Sequence, residues 1–139
     1  DTGLACQLTG LQTAEALEEG PLKGPMFETF IVADLYKKMK HTGRDLEFFF
    51  YRDNAQREID LILNDRDTNT VHLLEIKSGH TPKSEWADTL ATVAKIVFPA
   101  FQRDRATIRQ AILYRGETKV NWPRPGIDFI NWKDFLIDF

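Results

Sequence analysis

The chain has 139 residues, enough for one domain with a sizeable core, and its 42% hydrophobic and 28% charged residues are ordinary for a globular protein. A balance of 18 basic against 21 acidic residues leaves a formal charge of −3, which argues against the basic surface that most DNA-binding domains carry. The single cysteine, Cys6, excludes an internal disulfide and a multi-cysteine zinc site, and no apolar run approaches the roughly 20 residues of a membrane span.

A signal-peptide pattern is also missing from the first residues, so a cytoplasmic setting is expected. The opening Asp1-Thr-Gly-Leu-Ala5 reads as the interior of a longer gene product. One domain is expected over 1–139, with residues 1–24 as a helical lead-in. Within it Leu4, Leu8 and Leu11 are spaced for one helix face, and Thr13–Glu19 has helix-forming composition closed by Gly20. A helix is predicted from Pro25 to about His41, with Pro25 at its first position, lysines near its end and Gly43 as the stop.

Three strand-like runs follow: Leu46–Tyr51, Arg57–Leu63 and Thr70–Lys77. The turn cluster Asn64-Asp-Arg-Asp-Thr-Asn69 and the other short connections make an antiparallel meander the natural arrangement. Pro82 to about Val97 is predicted as a second long helix, with Leu90, Val93, Ala94 and Val97 on one stripe. Strands at Ile108–Tyr114 and Ile127–Ile130 and a helical turn at Trp132–Leu136 complete an α/β domain with a central mixed sheet flanked by helices.

Four residues carry the candidate chemistry. With Glu28 placed at zero on the first long helix, Leu35 falls near −20°, Met39 near +20°, Val32 near +40° and Ile31 near −60°. Glu28 therefore centres the core-facing stripe, where a lone carboxylate needs a cation, a donor or a proton. A first-turn acid bonded to a backbone group or an arginine fits that position equally well. Asp60 interrupts the run Ile59-Asp-Leu-Ile-Leu63 and is expected to share a face with Glu58 and Ile62. Glu75 and Lys77 stand two apart on the next strand and point the same way, with Leu74 and Ile76 on the other face. Folding the turn back brings Asp60 and Glu75 within reach of one divalent ion if the register places them on the same side.

Two carboxylates suit a hard, oxygen-preferring cation such as Mg²⁺ or Mn²⁺. The Ile76 carbonyl could complete the shell, and Glu28 could bind a second ion or hold a metal-bound water. The Lys77 ammonium suits orientation of a water or neutralisation of phosphate charge. Surface Glu-X-Lys triplets are common, so the weight lies in the conjunction of stripe acid, strand aspartate, turn, and strand Glu-Ile-Lys before a glycine and a helix. Arg52 and Arg57 flank the site in sequence, either as phosphate contacts or as solvated strand-end charges. Ser78 suits a turn. His41, His72 and His80 show no ligand spacing, and Trp122 and Trp132 suit core packing.

Gly24-Pro-Met-Phe-Glu-Thr-Phe-Ile-Val-Ala-Asp-Leu35, Phe50-Tyr-Arg-Asp53, Arg57-Glu-Ile-Asp-Leu-Ile62 and Leu74-Glu-Ile-Lys-Ser-Gly79 resemble DUF4143, a domain found C-terminal to AAA-type ATPase modules in bacteria and archaea. The opening residues and Asn131-Trp-Lys-Asp-Phe135 resemble it too. The resemblance implies a restriction-endonuclease-like fold of the PD-(D/E)XK class, an upstream ATPase in the same chain, and catalytic roles for Asp60, Glu75, Lys77 and Glu28. The strict form of that pattern has proline where Ile59 stands. The expectation is Mg²⁺-dependent hydrolysis of DNA. The alternative is an inactive nuclease-like domain that binds DNA or a partner and regulates the ATPase.

Overall fold

The computed structural model describes residues 1–101 and 105–138. Two short helices, α1 (Thr2–Leu8) and α2 (Ala14–Glu19), precede the long α3 (Lys23–Thr42). Three strands follow, β1 (Leu46–Arg52), β2 (Glu58–Asp65) and β3 (Thr70–Lys77), then α4 (Ser84–Phe101). The chain closes with β4 (Thr107–Tyr114), β5 (Ile127–Asn131) and α5 (Trp132–Asp138). The sheet is open, five-stranded and ordered as in the sequence. β1–β2 and β2–β3 pair antiparallel, as the short turns require, while β3–β4 and β4–β5 pair parallel. The parallel β3–β4 step is bridged by α4.

The sheet is covered on both faces, which explains why β3 is apolar on both. Ile62, Val71, Leu73 and Phe129 pack with the Leu90–Val93–Ala94–Val97 stripe of α4. Leu61, Leu63, Leu74 and Ile76 pack with Ile31 and Leu35 of α3 and Phe135 of α5. No helix among the described residues is long and apolar enough to cross a membrane.

Two helix starts differ from expectation. α3 begins at Lys23, so Pro25 is its third residue rather than its first. The position still costs nothing, because the first four amides of a helix have no partner inside it. Thr29 Oγ1 donates to the Pro25 carbonyl at 2.8 Å. Gly43 ends α3 as expected, at φ 70°, its amide donating to the Met39 carbonyl at 2.9 Å. α4 starts at Ser84 rather than Pro82 and continues past Val97, with Pro99 in its last turn.

The lead-in is fastened by local caps and one ionic clasp. Asp1 Oδ1 accepts from the Gly3 and Leu4 amides at 2.8 and 3.1 Å, and Thr13 Oγ1 accepts from the Ala16 amide at 3.1 Å. Glu18 takes Lys23 Nζ at 2.6 Å and Arg115 Nη1 at 2.7 Å. These two cations hold its carboxyl down to about 2.

Gly116 lies where the strand following α4 turns away from the sheet. A Cβ there would overlap the His80 carbonyl and the Tyr114 ring. The Gly79 carbonyl accepts from the Arg115 amide at 3.1 Å, so the Ser78–His80 loop and this turn are tied together. Gly116→Ala is expected to destabilise the fold by about 1–3 kcal/mol through overpacking, measured by urea denaturation.

Candidate functional site

The site forms where β2 and β3 part. Their ladder runs from Asp65↔Thr70 to Leu61↔Leu74, and Asp60, Glu75, Ile76 and Lys77 lie just beyond its last pair. On the other side of β2, Phe49 pairs with Ile62 and Tyr51 with Ile59. Two steps along β1 thus match three along β2, so Phe50 faces both Asp60 and Leu61: β2 carries a bulge at these two residues. A bulge re-aims the side chains it contains.

That bulge corrects the expected face of Asp60. Strict alternation would place it beside Ile62, on the α4 side of the sheet. Instead Ile59 and Ile62 both pack in the α4 core, and Asp60 lines a cleft with Glu28 of α3, Phe48 of β1 and Ile76 of β3. There Asp60 Oδ2 accepts from the Ile76 amide at 2.7 Å. The Ile76 carbonyl points to the same side as its amide, as in any extended residue, and so faces this gap.

Lys77 joins the two strands' acids. Its Nζ is 3.6 Å from Asp60 Oδ2 and is ion-paired to Glu75 Oε1. Glu75 is only 4% exposed, and its second oxygen, Oε2, has no hydrogen-bond partner. Glu28 is half-buried across the cleft, close enough for its charge to be felt at Asp60 and Lys77. Lys77 therefore bridges Asp60 and Glu75, and Glu28 stands at the edge of the group.

The electrostatics follow from this crowding. Burial, then the neighbouring Asp60 charge, pushes the Glu75 carboxyl up to about 7 against the pull of Lys77. Asp60 is raised by burial despite Lys77 and the Ile76 amide. Glu28 is raised by burial and by Asp60. For Lys77 burial acts downward, but Asp60 and Glu75 outweigh it and hold the ammonium above its ordinary value. The cluster has more negative charge than its one lysine can balance.

The fold binds the Glu75 proton more tightly than the unfolded chain does, with a value of about 7 against 4.5. Its contribution is complete below the unfolded value and is lost as pH rises through the folded one. From about pH 5.5 to about pH 8 the metal-free protein should lose roughly 2 kcal/mol relative to Glu75→Gln, read from paired thermal melts. His72, held down to about 4 by burial, works in the opposite direction at mildly acidic pH, but it is common to both proteins and cancels in the difference.

Other residues singled out in the sequence take lesser places. Arg57 is paired with Asp53 at 2.7 Å, and Arg52 lies 3.8 Å from Glu58, so both serve exposed strand-end pairs. Trp132 stands edge-on to Phe27 and Phe30 at 5.9 and 5.5 Å, and Trp122 edge-on to Phe129 at 5.1 Å. Sequence reasoning missed Trp86, stacked on Phe129 at 6.2 Å, and the pairing of Tyr36 with Phe48 beside the acids.

Residues 23–135, from α3 into α5, match the family model described as "Domain of unknown function (DUF4143)". The chain belongs to the DUF4143 family. The matched span contains all four residues of the acid–lysine group, whereas α1 and α2 lie before it. No curated protein matches this DUF4143 chain.

Proposed function

We propose that this DUF4143 domain is a Mg²⁺- or Mn²⁺-dependent phosphodiesterase acting on DNA, with a restriction-endonuclease-like fold of the PD-(D/E)XK class. The observation that carries the reading is Glu75 Oε2, a buried carboxylate oxygen with no hydrogen-bond partner, next to a lysine that also reaches the partly buried Asp60. An oxygen in that state calls for a cation or a proton.

The donor set fits a small hard ion. Among the described residues no three His, Cys, Asp or Glu side chains form a ready-made cage. Mg²⁺ needs no such cage, since it is commonly held by one or two carboxylates and keeps several of its waters. Asp60 and Glu75 would hold the ion, with the Ile76 carbonyl as a further oxygen donor and Glu28 steadying a bound water. Once bound, the ion supplies a more acidic water and neutralises charge on the phosphate. Lys77, kept protonated by the two acids, presents its ammonium to a phosphate oxygen and stabilises the negative charge that grows there. Glu28, with its raised pKa, is suited to hold and return a proton at the edge of the site. An upstream ATPase in the same protein is the partner that this function would serve.

One observation favours a second reading, a nuclease-like domain that binds DNA or a partner and regulates the ATPase without cutting. Lys77 already lies against both acids, so the group is partly neutralised without an ion.

Supercoiled plasmid incubated with the chain and Mg²⁺ or Mn²⁺ separates the two. The unaltered chain is expected to nick it, and Asp60→Ala and Glu75→Ala to do so at least ~100-fold more slowly, as loss of a transition-state contact requires. Equal nicking by all three would assign the activity to a contaminant and overturn the proposal.

A further inference from the structure

Beside the acids lies an open cleft of about 550 Å³, between α3 and the β1–β3 part of the sheet where β2 bulges. Asp60, Glu28 and Ile76 form one end of it, and Val32, Ala33, Tyr36 and Phe48 line the rest. Tyr36 and Phe48 meet edge-to-face at 5.9 Å, and Tyr36 is 49% exposed. Lys37 is also part of the lining, and Lys40 Nζ sits 5.3 Å from the centre of the Tyr36 ring. The volume falls within the range of ordinary ligand sites.

We infer that this cleft receives an unpaired nucleobase next to the phosphodiester to be cut, so that the preferred substrate is single-stranded or frayed DNA rather than a continuous duplex. The inference rests on the proposed hydrolysis and adds the class of substrate to it.

Charge and shape decide the occupant. Gripping a duplex by its phosphates takes rows of cations on the protein. The cleft lining offers one lysine against two acids, so a polyanion cannot be held here by charge alone. A flat apolar group with one phosphate attached matches what is present: apolar and aromatic walls, Lys37 in the lining, and Lys77 at the acids. A base has a free face to offer these walls only when it is out of the helical stack. Stacking on aromatic side chains also tolerates any base, because every base has a π face.

The test is binding, kept apart from cleavage by using Ca²⁺ in place of Mg²⁺. Fluorescence anisotropy would follow a labelled oligothymidylate and a blunt duplex of the same length. The single strand is expected to bind at least ~10-fold more tightly than the duplex, and Tyr36→Ala to lose about 10-fold for the single strand while Tyr36→Phe keeps it. Because Tyr36 is half exposed, its truncation leaves the fold intact, which a thermal melt would verify. Equal affinity for single strand and duplex, no detectable binding of the single strand, or indifference to Tyr36→Ala would overturn the base site. If plasmid nicking by the unaltered chain persists in that case, hydrolysis stands and only the substrate class is wrong. Absence of cleavage of both plasmid and single-stranded oligonucleotide by the unaltered chain with Mg²⁺ or Mn²⁺ would fail the hydrolysis instead.

Discussion

Lys77→Met is expected to slow DNA cleavage by about 10²–10³-fold while tightening the binding of Mn²⁺ roughly 10-fold. The two effects move in opposite directions because Lys77 has two neighbours with different needs. Its ammonium, 3.6 Å from Asp60 and ion-paired to Glu75, repels any divalent ion that the same acids attract. Methionine keeps most of the side chain's volume and removes that repulsion. It also removes the positive charge proposed to meet the phosphate, and that loss falls on the transition state, where negative charge is growing. A purely structural lysine would behave otherwise: its loss would lower stability without tightening ion binding. Calorimetry with Mn²⁺ and single-turnover cleavage on the same preparation would read both numbers.

Phe129→Ala is expected to destabilise the fold by about 3–5 kcal/mol, the usual cost of deleting a buried ring. Phe129 is fully buried on β5 and is the hub of an aromatic group. Trp86 stacks on it at 6.2 Å, while Tyr114 and Trp122 meet it edge-on at 5.6 and 5.1 Å. These partners come from α4, from β4 and from the loop before β5, so no single neighbour can move to fill the space. The loss would be read as a lowered urea midpoint, with an unchanged slope if the transition stays two-state. Asp60 faces the cleft beneath α3, away from Phe129, whereas Glu75 stands in register with Ile112 and Phe129 on the α4 side of the sheet, so the substitution is felt first at Glu75.

Much of the architecture is legible in the chain because it depends on local chemistry. The turn cluster at 64–69 and the apolar runs on either side predict the β2–β3 hairpin, and the structure pairs Asp65 with Thr70 across it. The α4 stripe at Leu90, Val93, Ala94 and Val97 is buried as its 3.6-residue spacing requires. Glu28 stands on the same face of α3 as the buried Ile31 and Leu35, which is why its carboxyl is partly buried and its pKa raised.

What could not be read depends on pairing between distant segments. The bulge at Asp60–Leu61 exists only because β1 and β2 meet with unequal spacing, and nothing in Arg57–Leu63 alone announces it. For that reason alternation assigned Asp60 to the wrong face. Tyr36 and Phe48 look like ordinary helix and strand aromatics, and they become walls of one cleft only when α3 packs on the sheet. Trp86 is hidden for the same reason, since its partner Phe129 lies on a strand far along the chain.

The claim on which the functional account stands is that Asp60 and Glu75 share one divalent ion, and titration calorimetry with Mn²⁺ near pH 7 tests it most directly. The account predicts one ion per chain and release of about half a proton as it binds, because Glu75 titrates at about 7 and must give up its proton to serve as a ligand. Glu75→Gln should weaken the ion at least ~10-fold and remove the proton release. Absence of any heat at millimolar Mn²⁺, or equal binding by the Glu75→Gln chain, would contradict it.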